Sequence, residues 1–134
     1  MPMHNNARRR TLGLGVVIAL ISARAVAAPA PAASIAPGDP ARGQTLYGVC
    51  MGCHSLDEND VGPRHRGVVG RRAGAVPGFA YSPALKASGL TWSPPNLDRW
   101  LTNPQALVPG ARMFFSIAKA KDRADVIAYL ARQR

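Results

Sequence analysis

Cysteine is nearly absent: the 134-residue chain has two, both within residues 50–53, so there is no disulfide framework of the kind that staples small secreted folds. Aromatic residues make up 6%, little side-chain mass for a core at this length. Acidic groups are few, 7 against 17 Lys and Arg. No apolar run approaches the ~20 residues that a membrane-spanning helix needs. Internal repeats, heptads, blocks of five like charges and sustained strand-like alternation are missing too. The length leaves room for one small domain and excludes large multidomain enzymes. A formal charge of +10 would by itself suggest nucleic acid or an anionic membrane as partner.

Part of that charge belongs to the N-terminus. Arg8, Arg9 and Arg10 precede an apolar stretch over residues 11–21, and Ala25, Val26 and Ala27 offer a small-residue cleavage site. This is the layout of a secretory signal peptide, expected over residues 1–27, with an uncleaved anchor as the alternative. Arg24 is the irregular feature. The Arg9, Arg10 pair lacks the phenylalanine and lysine that follow it in twin-arginine signals. Without residues 1–27 the chain keeps 13 basic and 7 acidic side chains, a net of about +6, and nucleic-acid binding is not expected. Residues 28–37, rich in Pro and Ala and uncharged, read as a linker. The folded domain is expected over residues 38–134.

Asp39 followed by Pro40 predicts a helix start, with Leu46 and Val49 spaced for one buried face, so a helix should lead into the cysteine pair. Residues 57–78 hold Gly62, Pro63, Gly67, Gly70, Gly74, Pro77 and Gly78 and no sustained period, which predicts a long ordered loop wrapped around something. Ser82 with Pro83 predicts a short helix closed by Gly89. Ser93 with Pro94 predicts another, Asn96 to Thr102, ended by Pro104 through Asn103. Two more short helices are expected after it. Asp122 then caps a helix whose Val126, Ile127, Tyr129 and Leu130 share one side. The fold class is all-α with extensive loops.

Cys50, Met51, Gly52, Cys53 and His54 form Cys-x-x-Cys-His, the attachment signature of c-type haem, in which two thiols add to the vinyl groups and the adjacent histidine binds iron. The spacing is mechanical, because residues three apart share one face of a helical turn. A thioredoxin-like pair would need a βαβ setting, a zinc site would find only His65 as a further soft donor, and an incidental disulfide remains a third alternative. Haem accounts together for the long loop, the few aromatics and the export of a cysteine pair. For the sixth ligand, Met51 is trapped between the cysteines, which leaves Met113, carried after the turn-forming residues Pro109, Gly110, Ala111 and Arg112. A buried core methionine, or His65 as ligand instead, remain the alternatives.

From Gly38 to Leu130 the chain resembles the class I cytochrome c family, mitochondrial-type and short bacterial monohaem members. The markers are Gly43 and Tyr47, Gly62-Pro63, Gly70-Arg71, PGFAYS over residues 77–82, Thr91-Trp92, Trp100-Leu101, Asn103-Pro104, PGARMF over residues 109–114, and residues 127–130. The resemblance implies a small cytochrome c fold, helices and long loops around one covalent haem. It implies that terminal helices cross at Gly43 beside Tyr129, that Pro63 offers its carbonyl to His54, and that Arg71, Tyr81 and Trp92 handle a propionate. Three positions depart from the pattern: Ala111 for a common threonine, Leu85 for a frequent asparagine, and Trp100 for a tyrosine that bonds the methionine sulfur. The expectation is a drier side at Met113, tuned by packing against Trp100. Val49, Asp60, Gln105 and Ala106 stand where relatives have lysine, while Arg112 and Lys119 are kept and Lys121 lies close by. Arg64, Arg66 and Arg72 read as solvated.

His and Met on both axial positions leave no open coordination site, which favours outer-sphere electron transfer. The expected function is a soluble, periplasmic, monomeric one-electron carrier, not an enzyme, between a quinol-cytochrome c reductase or dehydrogenase and a terminal oxidase or reductase. The alternative is a five-coordinate or labile-Met haem protein with peroxidase or ligand-sensing activity.

Overall fold

The computed structural model describes residues 37–134 together with Met1. The expected signal peptide and nearly all of the expected linker lie outside the described residues. Among the described residues five α-helices follow in order: α1 Pro40–Leu46, α2 Pro83–Ala87, α3 Pro94–Thr102, α4 Pro104–Leu107 and α5 Ala120–Arg132, with a 3-10 turn Tyr47–Cys50 after α1. Among the described residues there is no strand, only an isolated bridge between Arg72 and Thr91. The fold is all-α.

The short helices start where side-chain chemistry starts them. Asp39 accepts from the Ala41 and Arg42 amides, Ser82 from Leu85, Ser93 from Asn96 and Asn103 from Ala106, each with proline in the first turn. Each cap satisfies N–H groups that a helix of this length cannot bond internally. α3 begins at Pro94, two residues before the expected Asn96, because two successive prolines sit in its first turn, where their missing N–H groups cost nothing. Only one short helix, α4, precedes α5. Residues 108–119 run as an irregular strap instead.

Two expectations about the long helices need correction. α5 starts at Ala120 with Lys119 at its cap position and no side-chain cap bond. Asp122 lies inside the first turn, where its carboxylate faces the helix dipole and pairs with Arg42 at 2.5 Å. Val49 is 62% exposed, because the chain tightens to a 3-10 turn after Leu46 and rotates Tyr47 inward in its place.

α1 packs across α5. A Cβ on Gly43 would stand 1.9 Å from the Asp125 carbonyl oxygen and 2.9 Å from the Tyr129 Cβ, so only glycine permits the crossing. At its centre the Asp125 side chain, with no exposed surface, accepts from the Asp39 amide at 2.6 Å, from Lys121 Nζ at 2.9 Å and from Arg42. These partners hold its carboxyl down to about pKa 2, the Lys121 bond first and the Asp39 amide next. On the other side of α5, α3 contributes Leu97, Trp100 and Leu101 to a core with Val126, Ile127 and Leu130.

Candidate functional site

The core is hollow. A cavity of about 540 Å³ opens within it, in the size range of sites for small molecules and cofactors. Its lining is mostly apolar, and it gathers all nine residues singled out from the sequence: Cys50, Cys53, His54, Pro63, Arg71, Tyr81, Trp92, Trp100 and Met113.

Cys50 is half-buried and Cys53 exposed, and the two are not joined in a disulfide. A tight turn sets them, with the Cys53 and His54 amides both bonded to the Cys50 carbonyl. Burial pushes the Cys50 thiol up to about pKa 11. His54 Nδ1 lies 2.8 Å from the Pro63 carbonyl, which can only accept. Nδ1 therefore carries the hydrogen, and Nε2 keeps the free lone pair. Burial lowers the His54 pKa, against the opposing Pro63 bond and Asp60 charge, and favours the neutral, metal-binding form. A Cβ on Gly62 would fall 2.1 Å from His54 Cε1, so the Gly62-Pro63 pair seats the imidazole by steric fit as well as by hydrogen bonding.

His65, considered above as a rival ligand, stacks on His54 with ring centroids 3.9 Å apart and planes inclined by 21°. Its Nδ1 lies 3.1 Å from the Tyr47 hydroxyl. Burial first, then the neighbouring His54 and Arg71, push its pKa down to about 3, so it is neutral at physiological pH. It backs the imidazole of His54. Nothing in the local sequence signals this, because Tyr47 and His65 come from separate segments.

Trp100 adds a polar contact on the side where reduced polar tuning was expected. Its indole N–H donates to Met113 Sδ at 3.1 Å. The tryptophan thus supplies a donor to the sulfur as well as apolar bulk, and it packs against Trp92 at 5.1 Å. Met113 is half-buried against the core. Arg71 donates to the carbonyls of Arg64 at 2.7 Å and Arg66 at 2.9 Å, which braces the long loop on itself where it lines the cavity. Tyr81 takes the Val76 amide on its hydroxyl at 3.3 Å. Arg66 pairs with Asp57 in solvent, and Arg64 and Arg72 are exposed.

The cavity size, the apolar walls and the donor set of two thiols, one imidazole and one thioether suit a covalently held porphyrin. Comparison with known proteins agrees with this chemistry. The family model described as cytochrome c matches residues 40–133. Cytochrome c2 of Rhodomicrobium vannielii is 47% identical over 106 residues, covering 76% of this chain and 85% of that protein. Cytochrome c-554 of Methylosinus trichosporium is 36% identical over 124 residues, covering 90% and 87%. Among solved structures, cytochrome cH from Methylobacterium extorquens superposes with a TM-score of 0.68 at 46% identity, over 70% of this chain and 98% of its own. By family model, by relatives and by fold, the chain belongs to the cytochrome c family, an electron-transfer protein rather than an enzyme and one whose family implies covalently bound haem c.

Proposed function

We propose that the chain is an exported, monomeric, monohaem carrier that works in the periplasm after removal of residues 1–27. Residues 28–37 serve as linker and residues 38–134 as the haem domain. Cys50 and Cys53 would form the thioether links to one haem, and His54 and Met113 would bind its iron. The supporting observation is that two thiols, an imidazole fixed by Pro63 and a thioether bonded by Trp100 all line one cavity. When bound, haem supplies a one-electron iron couple, and two protein ligands leave no open position for oxygen or peroxide chemistry.

The chain's own residues keep reorganisation small. Pro63 and Gly62 hold the imidazole at one angle and in one tautomer. Trp100 fixes the sulfur and draws electron density from it, which favours the reduced state. Leu97, Trp92 and Leu101 exclude water from the cavity. Arg71 and Tyr81 provide the donors that a buried propionate requires. The redox partners fall in the classes of quinol-cytochrome c reductase or dehydrogenase as donor and terminal oxidase or reductase as acceptor.

Expression in a host competent for cytochrome maturation tests the reading. Intact mass should show one haem on a chain lacking residues 1–27, and the oxidised protein should show the far-red band of methionine-ligated ferric haem. A colourless product with two alkylatable thiols would overturn it.

A further inference from the structure

We propose that Gln105 is a positioning residue for Met113: its amide clamps the strap that carries the sulfur and so controls how readily the sulfur is displaced. This rests on the reading of Met113 as an axial ligand given above.

Gln105 lies in α4, at the foot of the strap. Its Nε2 donates to the Ala111 carbonyl at 2.7 Å and to the Met113 carbonyl at 2.9 Å, while its Oε1 accepts from the Gly110 amide at 3.3 Å. Both donors and the acceptor of one primary amide are thus used on three backbone groups of a four-residue segment. The orientation of the amide is fixed by its partners. Flipped, it would place its oxygen against two carbonyls and its N–H against another N–H.

Beside the sulfur-bearing residue the strap has one other side-chain bond, from Arg112 Nη1 to the Ala80 carbonyl at 3.0 Å. It is anchored on one side by buried Val108 and Ala111, with the Ala111 amide on the Val108 carbonyl at 3.1 Å. On the other side the Ile117 amide reaches the Leu101 carbonyl at 2.7 Å, and Arg123 holds the Ile117 and Ala118 carbonyls. Between them, Phe114, Phe115 and Ser116 are exposed. Among the described residues, Gln105 is the group bonded to the backbone of Met113. Trp100 holds the same residue by its sulfur, so backbone and side chain are fixed from two helices.

The test uses the full-length, haem-loaded ferric protein titrated with imidazole, which binds iron only after the sulfur leaves. Gln105→Ala removes the clamp, and Gln105→Glu keeps its length but presents no donor at neutral pH. Both should bind imidazole about tenfold more tightly than wild type, the fold-change equivalent of roughly one net hydrogen bond. Ile127→Ala, in α5 and outside the strap, should lower the thermal midpoint yet leave imidazole affinity within about twofold. Wild-type affinity in both Gln105 variants would overturn the clamp, as would an equal gain in Ile127→Ala. A wild-type protein lacking the far-red band would overturn the ligand reading itself, a failure visible before any variant is made.

Discussion

An indole N–H facing a thioether joins a moderate donor to a weak acceptor, but it does so where, with Met113 as the proposed iron ligand, electron density at sulfur would be felt directly by the metal. Trp100→Phe removes this donor and keeps an aromatic ring. With less density withdrawn from the sulfur, the oxidised state gains, so the reduction potential should fall by about 40 mV, equivalent to ~1 kcal/mol for one electron. Trp100→Tyr keeps a hydroxyl donor and should fall by less. Voltammetry of the two variants beside wild type checks the order. At Gly62 the constraint is steric. Gly62→Ala would drive a methyl into the His54 ring, and resonance or absorption spectra should show a displaced or lost axial imidazole. The thiols, His54 and Met113 were legible as residue types at telling positions. The indole donor and the clamp of Gln105 were not, because they depend on which atom of a side chain meets which backbone group, and spacing carries no information about that.

At the scale of helices, stability rests on caps and on one crossing. α1 has seven residues, too few to persist in water without tertiary packing. Asp39→Ala removes two cap bonds and should cost about 1 kcal/mol in denaturant unfolding. Gly43→Ala meets the Asp125 carbonyl and should cost roughly 1–3 kcal/mol or more, unless α1 lifts away from α5. The crossing also sets an acid limit. Asp125 has its pKa lowered to about 2 in the folded chain against about 3.9 unfolded, so its contribution is complete above pH 4 and fades as pH falls toward 2. Asp125→Asn should therefore lose stability at pH 7 and show a flatter decline across that window, which thermal melts at stepped pH would record. The helices opened by Asp39-Pro40, Ser82-Pro83 and Ser93-Pro94 were easy to read as starts, whereas Asn103-Pro104 was read only as a stop, because the same pair ends α3 and caps α4. Val49 was misread because a 3.6 period was carried across a 3-10 turn, and the α5 start because Asp122 suits a first turn as well as a cap.

For the molecule as a whole, the governing feature is the space at its centre. Leaving a mostly apolar cavity of about 540 Å³ without a packed occupant would wet its walls and forfeit their contacts, a large loss for a domain whose whole stability is on the order of 10 kcal/mol. Cys50→Ser with Cys53→Ser, followed by extraction of any loosely held haem, should give a chain without fixed tertiary structure, seen as loss of near-ultraviolet circular dichroism and a collapsed thermal transition. The long loop over residues 57–78 was legible as a wrapper for this reason: a chain with so few aromatics needs something else to pack against.

The Gly43 crossing carries one more implication, for timing. α1 and α5 are partners separated by about 70 residues of intervening chain, so the crossing cannot form until α5 has been made. During synthesis Cys50 and Cys53 emerge about 70 residues before α5, the helix that packs on α1 just ahead of them. That ordering leaves an interval in which a maturation enzyme can reach both sulfurs on a slack polypeptide.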